Sequence, residues 1–577
     1  MEKTKNSKFF DNPLTRTKVK AANVKFKEMI FGYFVGPFGA LLASGIFTSF
    51  LNKYFTDILF SGVQSESLST FLTLLPLLST ILIIVGNLVV GQLIEKTRTK
   101  QGKARPWILL SSVTLSIACI LMFIVPFDNL VAKMVWLAIS YNVYYAIAYP
   151  IYNTANSTLI PLSTRNSKQR GLLASFTNVA GLAVMGSGSM IFPILVSLLL
   201  KTQTSWTIAF IIVGIITFVC TLLQYYYTRE RVTEETINTT SEENKTPLKN
   251  QVNAVIKDKM WWVIIVFYLV FQFSGAIKNL SMVYFCEYNL DNYFWGIGSG
   301  GSGLTQTLIA VLGAVPMAVA SVIVWPLSNK FGKRLVTFVG MVIGVIGGII
   351  AIIGGSNVIA VSIGVALKCL GSAPACYMIL AFLADELDHL EAKNGYRCDG
   401  LTMSIYSSIM VAATGVGTAI FNGLLGQGSA NGYVAPITGE VPSTITNDIL
   451  YTTTNVDGTI TTTFVQNSGV LSNISISYLW IETIAFGICA ILIFLFNVEK
   501  NLDSEQKQIV ERQKAAVLSR GENWIEPAER LKLEQEQAEK EEEEARIKEL
   551  KDRCEKKHLD FEEEEKKYQL KKSSKKK

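Results

Sequence analysis

Histidine is nearly missing from this sequence. Only His389 and His558 occur among 577 residues, too few to build a histidine-based metal centre. Cysteine is present without pattern. Cys119, Cys220, Cys286, Cys369, Cys376, Cys398, Cys489 and Cys554 form no CxxC cluster, and most lie within apolar runs, as small packing residues do. A nucleotide-binding signature is lacking as well. The run GIGSGGSG at 296–303 has no Gly-Lys-Ser/Thr after it. No enzyme motif competes, so neither an ATP-driven pump nor an enzyme is expected, and no cofactor. Charge is scarce, at 17% of residues, and collects in loops and near the C-terminus. A soluble chain of this length would spread charge through its helices. Signal-peptide character is absent: the first 27 residues are polar and basic. Residues 1–28 are therefore expected to form a cytoplasmic leader.

What is present is apolar length. A spanning helix needs about 20 apolar residues. On that rule twelve spans are expected, near 29–52, 68–94, 107–127, 132–160, 171–200, 205–227, 260–286, 304–329, 335–354, 358–384, 399–426 and 474–497. The polar stretch 229–259 divides them six and six. The sequence therefore implies an all-α membrane protein with bundles over 29–228 and 260–498, joined by a cytoplasmic linker. The loop Gly91–Trp107, GQLIEKTRTKQGKARPW, is strongly basic, and WPLSNKFGKR at Trp325–Arg334 is a weaker copy of it. Two such loops, each after an apolar hairpin, suggest two similar halves, a transporter pattern.

Loop charge sets the expected orientation. Arg165, Lys168 and Arg170, then Arg229, Arg231, Lys245, Lys249 and Lys257, then Lys330, Lys333 and Arg334, then Lys393 and Arg397 fall on the side of the first basic loop. The opposite loops hold Lys53, Lys133 and Lys201. Both termini then face the cytoplasm, in a multi-pass protein of the plasma membrane. The net charge of +7 points to the inner leaflet of the lipid bilayer, and nucleic acid is not expected as a partner. The loop 427–473 is long and rich in Thr, Asn and Gly, and TITTTFV hints at a small hairpin. Residues 499–577 form a charged cytoplasmic tail, expected to be a solvated helix held by i,i+4 pairs, with no identifiable partner.

Charges at membrane depth cost about 2.5–3.5 kcal/mol each on insertion scales and need a reason. Lys278 in span 7 and Lys368 in span 10 are such charges, with Glu482 near the outer end of span 12. The lysines either find internal partners or snorkel, or they line a cavity and meet an anionic or hydroxyl-rich substrate. The first half shows no carboxylate at depth, because Asp57 and Glu95 fall at span ends. It offers phenols and amides: Tyr141, Tyr144, Tyr145, Tyr149, Tyr152 and Asn156 follow helical spacing in span 4, beside Asn153 and the kink-forming Pro150. Aromatic faces and amides suit a sugar. The candidate binding set is Tyr145, Tyr149, Tyr152, Asn153, Lys278, Lys368 and Tyr377. In ADELDHLEAKNGYRCDG, Ala384–Gly400, the charges Asp385, Asp388, Lys393 and Arg397 crowd one short loop. With Arg98 and Arg105 they form a candidate cytoplasmic gate.

Three of these stretches resemble the glycoside–pentoside–hexuronide cation symporters, the melibiose-permease group of the major facilitator superfamily. GQLIEKTRTKQGKARPWIL resembles that family's loop between helices 2 and 3. ADELDHLEAKNGYRCDG resembles its signature after helix 10, and TRERV at 228–232 the end of helix 6. The resemblance spans about 25–500. It implies a twelve-helix fold, a central sugar site, alternating access and Na+ or H+ symport, with Asp385 and Arg397 in a cytoplasmic charged lock. The chain departs from the pattern at the family's acids. Pro37 stands where helix 1 has a sugar-binding Asp, Ile83 and Asn87 where helix 2 has cation-binding Asp residues, and Ala148 where helix 4 has another. Tyr152 replaces a sugar-stacking Trp, and the helix 11 Lys falls near Val411. Ile83 and Asn87 carry no negative charge for a hard cation.

The expected function is a secondary transporter of a small-molecule sugar, glycoside or uronide. An anionic uronide suits the two lysines. Transport is either uncoupled or coupled through a proton or sodium site elsewhere, involving Glu482 or Glu287. Two alternatives stand beside it: a transporter-like sensor or scaffold signalling through its tail, and a transporter of a non-sugar solute.

Overall fold

A computed structural model of the chain describes residues 17–19, 24–164, 187–231, 248–295, 301–395, 399–519 and 560–574, less 64, 98, 100, 428, 430, 443–444 and 456–457, and describes 169–184 and 533–555 in part. Arg98, Arg397, the basic residues of 165–170 and most of the linker lie outside the described residues. Ten described helices are long and apolar enough to cross a membrane by length and composition, and Arg105–Leu121 is a shorter apolar helix.

The first half contains α1 (Phe26–Leu59), α2 (Glu66–Lys96), α3 (Arg105–Leu121), α4, α5 and α6 (Gln203–Tyr226). Helix α4 has three consecutive segments, Leu130–Asn142, Val143–Ala148 and Tyr149–Ser163. The expected fifth span is described in part, with α5 over Phe192–Leu198. The second half contains α7 (Lys259–Tyr288), α8 (Gly301–Phe331), α9 (Lys333–Gly354), α10 (Val358–Asn394), α11 (Asp399–Leu425) and α12, whose segments are Ser468–Ser475, Ile476–Trp480 and Ile481–Leu495. The tail begins with α13 (Leu502–Ser519). We call the end that carries residue 26 and α13 the terminal end, and the opposite one the distal end.

Helix α1 runs seven residues past the expected boundary at 52, so Lys53 is not a loop residue. It is buried inside α1 and pairs with Asp57 one turn on, at 2.6 Å. A wider i→i+5 turn over Tyr54–Leu59 carries the helix through this pair. Asp57 falls at the end of α1, as its position in the sequence suggests, and is buried there.

The two basic loops are built alike, as their sequences suggest. Helix α3 opens on the carboxylate of Glu230, which accepts from the backbone N–H of Lys103 (2.7 Å), Ala104 (2.8 Å) and Arg105 (2.7 Å). Helix α9 opens on Glu499, which accepts from the N–H of Lys333 (2.8 Å) and Arg334 (3.0 Å). An anion at a helix start satisfies donors that have no intrahelical acceptor. Each loop has a left-handed glycine before the helix, Gly102 (φ 113°) and Gly332 (φ 85°), and a Cβ at either would crowd the acid.

Close helix contacts rest on small residues. Gly340 and Gly371 place α9 and α10 backbone to backbone: a Cβ on Gly340 would stand 2.6 Å from the Gly371 carbonyl oxygen. Gly86 of α2 abuts the carbonyl of Ala146. Pro150 has no N–H to offer that carbonyl, four residues back, and Gly86 lets α2 approach it closely.

Two apolar cores result. One fills α1–α6 and continues into the distal ends of α7, α11 and α12 through Tyr284, Phe421 and Tyr478. The other lies in the second half around Trp261, Met341, Phe382 and Phe486. The loop after α11 forms a three-stranded antiparallel sheet of β1 (Ile437–Thr438), β2 (Ile449–Thr454) and β3 (Ile460–Phe464), in the order β1-β3-β2. The hinted hairpin is its β2–β3 pair. Overpacking a close seam costs about 1–3 kcal/mol. Gly371→Val should therefore lower the unfolding temperature and the monodisperse yield in detergent by size-exclusion chromatography, whereas Gly487→Val, where a Cβ meets nothing within 4 Å, should change neither.

Candidate functional site

At the seam between the halves, α1, α2, α4, α7 and α11 line a narrow cavity. Its polar lining is uncharged. Helix α1 contributes Thr48 and Asn52, α4 contributes Tyr141 and Tyr145, and α11 contributes Thr414, Thr418 and Asn422. The spacing explains why they converge: 48 and 52 are one turn apart, and 414, 418 and 422 make a polar stripe along one face of an apolar helix. Tyr141 and Tyr145 lie against each other, ring centroids 4.6 Å apart and planes tilted by 39°. Asn422 donates to the Leu72 carbonyl across the seam (2.7 Å), which fixes the amide at the cavity edge. Flat aromatic faces beside hydroxyl and amide groups can hold a polyol by stacking and hydrogen bonding.

The candidate binding residues divide. Tyr145 lines the cavity. Tyr149 is half-buried, 6.0 Å from the Tyr144 ring. Tyr152 is buried at 1% exposure within the first half, and Asn153 is exposed. The tyrosines do not share one face, because the wide turn over Val143–Ala148 rotates the helix partway along. Tyr144 turns into the core against Phe47 at 4.5 Å. Tyr377 is exposed at 42%. The Thr and Asn stripes of α1 and α11 were not anticipated, although their period was readable.

Lys278 and Lys368 meet each other's counter-ion. Glu482 of α12 lies 3.1 Å from the Lys278 ammonium and 2.5 Å from that of Lys368, one through each carboxylate oxygen. The three charges sit in the second half, where α7, α10 and α12 converge. This is the internal-partner alternative for the lysines, with Glu482 as partner. Removing one member of such a buried pair costs roughly 3–5 kcal/mol, because the other is left uncompensated.

A second buried group bridges the halves at the distal end. Lys53 and Asp57 of α1 meet Glu287 of α7, which also contacts the Lys53 ammonium. Asn52 and Thr56 bond Tyr284 at 3.2 and 2.8 Å. Lys201, in the turn before α6, lies near this group, and burial pushes its ammonium below lysine's ordinary value.

At the terminal end four of the expected gate residues are described, Arg105, Asp385, Asp388 and Lys393. The buried Arg105 guanidinium donates to the Tyr225 carbonyl (3.0 Å) and to Gln101 (2.9 Å). Asp385 pairs with Lys333. Lys393 pairs with Asp258 at 2.7 Å. Burial would raise the Asp258 carboxyl. Hydrogen bonds from His389, Lys393 and the backbone N–H of Met260 and Trp261 outweigh it and hold the group well below the carboxylate range. Asp388 accepts from Gln506 of α13 (2.9 Å). The Glu28–Arg231 pair (2.8 Å), also buried, was not anticipated.

Ile83 is buried, and Asn87 turns its amide N–H to the Ile83 carbonyl, 3.0 Å away. Among the described residues no group of three His, Cys, Asp or Glu side chains is placed to hold a metal ion. Breaking the distal bridge leaves two carboxylates facing each other. Lys53→Met should therefore raise the labelling, from the distal side, of a thiol introduced by Thr414→Cys. The double variant Lys53→Met/Glu287→Gln, with one fewer stranded charge, should recover the stability lost by the single one, as read by thermal unfolding.

Comparison with known proteins bears on the family and the fold. The family model described as MFS/sugar transport protein matches residues 32–500. The chain is 25% identical to the isoprimeverose transporter of Lactiplantibacillus pentosus, over 83% of this chain and 91% of that protein. It is 22% identical to the lactose permease of Leuconostoc lactis, over 86% of this chain and 73% of that protein. A solved D-xylose–proton symporter shares the fold, with a TM-score of 0.51 at 14% identity, over 82% of this chain and 97% of that one. The resemblance read from the three motifs holds, and this chain is a multi-pass membrane protein belonging to the MFS/sugar transport family.

Proposed function

We propose that this chain imports a neutral sugar or glycoside across the plasma membrane by alternating access, with both termini in the cytoplasm. The observation that carries it is the uncharged cavity of Tyr, Thr and Asn at the seam of the two halves. A central site at a repeat interface is where rocking bundles expose a ligand alternately to either side. The lining suits hydroxyls better than a carboxylate. The two lysines that favoured a uronide are engaged by Glu482, so we read the substrate as neutral. The relatives named for isoprimeverose and lactose carry uncharged disaccharides. Lipid or peptide as substrate has no support from such a lining.

Orientation rests on the basic residues at the terminal end, among them Lys103, Arg105, Lys330, Lys333, Arg334 and Lys393. The cross-seam bonds described lie toward the distal end: Asn52 and Thr56 to Tyr284, Asn422 to Leu72, and Thr307 to the Met190 carbonyl at 2.7 Å. We read the structure as closed on the outside. Symport with a cation is part of this reading. Positions 83 and 87 take no part in it, since neither bears charge. The chain acts as a carrier and performs no chemistry on its ligand.

A second reading, a ligand sensor, is favoured by the docking of α13 on α10. Glu505 bonds His389 (2.8 Å), and Arg512 donates to the carbonyls of Glu391 (3.1 Å) and Ala392 (2.8 Å).

Uptake in proteoliposomes of lactose, isoprimeverose and a 4-nitrophenyl glycoside and glucuronide pair, with and without proton or sodium gradients, tests the transport reading. Gradient-driven accumulation of a neutral member is expected; binding without flux would sink it. Asn422→Ala and Tyr145→Ala should raise the KM by about fivefold or more, because a buried partner left unpaired costs about 1–3 kcal/mol. Deleting 504–577 should leave uptake intact. A sensor would keep binding and lose its output.

A further inference from the structure

The loop 427–473 is fastened to both halves of the molecule. Its base belongs to the second half. Tyr433 bonds Tyr288 of α7 (2.9 Å), Asn289 donates to the Leu471 carbonyl (3.0 Å), and Asn473 donates to the Leu424 carbonyl (2.8 Å). It also reaches the first half. Gln427 donates to the Thr56 carbonyl (2.8 Å), and the Tyr433 hydroxyl donates to Asp57 (2.8 Å). A Cβ on Gly62 would lie 3.8 Å from Ile437 of β1. Between sheet and bundle lies a narrow gap, floored by Lys53, Asp57 and Glu287 and roofed by Thr453, Thr461 and Thr463.

The bonds to the two acids divide in a telling way. Lys53 serves one oxygen of Asp57 and one of Glu287. The other oxygen of Asp57 accepts from Thr56 (2.7 Å) and Tyr433; the other oxygen of Glu287 accepts from Tyr451 of β2 (2.9 Å). If the distal ends part, Lys53 and Asp57 leave together on α1. Glu287 loses its ammonium and would be an uncompensated buried anion, but Tyr451 belongs to the same half and goes with it. Tyr433 has no such allegiance, because it bonds Asp57 on one side and Tyr288 on the other.

We propose that the 427–473 loop is a working lid of the distal gate: Tyr433 latches it to the first half, and Tyr451 remains on Glu287 as that carboxylate's partner once Lys53 withdraws. This rests on the alternating-access reading above. The charged groups facing the gate are Lys53 and Asp57 from α1, Glu287 from α7 and Lys201 from the turn before α6, with the phenols of Tyr284, Tyr288, Tyr433 and Tyr451.

The two tyrosines should act in opposite directions. The test uses full-length chain with a single thiol introduced at the cavity by Thr418→Cys, in intact cells. A membrane-impermeant methanethiosulfonate is applied from outside, and the modified peptide is quantified by mass spectrometry. Tyr433→Phe removes the latch and should raise the labelling rate severalfold. Tyr451→Phe strands Glu287 in the open state and should lower it severalfold, and adding Glu287→Gln should bring it back. Should Tyr433→Phe fail to fold, Asp57→Ala removes the acceptor of the same bond and should also raise the rate. Equal shifts of the same sign for both phenylalanine variants, or no shift in either, would overturn the lid. The labelling needs no substrate, so its outcome stands apart from that of the uptake assay.

Discussion

A charge held at membrane depth must find its partner within the protein, and the helix arrangement follows from how that is done. Several buried ions among the described residues stand where elements distant in sequence meet. Glu28 joins the start of α1 to Arg231 beyond α6. Lys53 joins α1 to α7, and Glu482 joins α12 to both α7 and α10. These contacts act as rivets. They say which helices are neighbours, and apolar packing through glycine then brings the backbones together. The seam cavity is neutral for the same reason: the charges nearest to it are already spoken for elsewhere.

The halves repeat this economy at their terminal ends. Glu230 and Glu499 occupy corresponding places, after the sixth and the twelfth helix, and each caps the third helix of its half. The glycine before each capped helix is what lets the acid approach. The weak likeness between the two basic loops is thus the visible part of a shared joint. Its other member lies more than a hundred residues downstream, in TRERV and in FNVEKN.

Much of the architecture was legible because hydropathy and loop charge are local properties. Span ends were less so. Lys53 and Asp57 look like loop residues in one dimension, and only Glu287, 234 positions from Lys53, explains why the helix continues through them. The pairing of both deep lysines with Glu482 was open for the same reason. The tyrosines of α4 were found by spacing, but the wide turn at Val143–Ala148 broke the 3.6-residue period on which the reading relied. The Thr and Asn stripes on α1 and α11 were readable and were passed over, since charge draws the eye before hydroxyls do. Those uncharged stripes, and not the lysines, line the cavity.

The docking of α13 on α10 has a mechanical corollary. The bonds described for α13 run to α10: Gln506 to Asp388, Glu505 to His389, and Arg512 to two carbonyls at the end of that helix. The first tail helix is therefore a rigid extension of one half of a rocking body. As the halves tilt, it moves with α10, like the needle of a gauge. Whatever grips that needle reads the position of the gate, and can also hold it still.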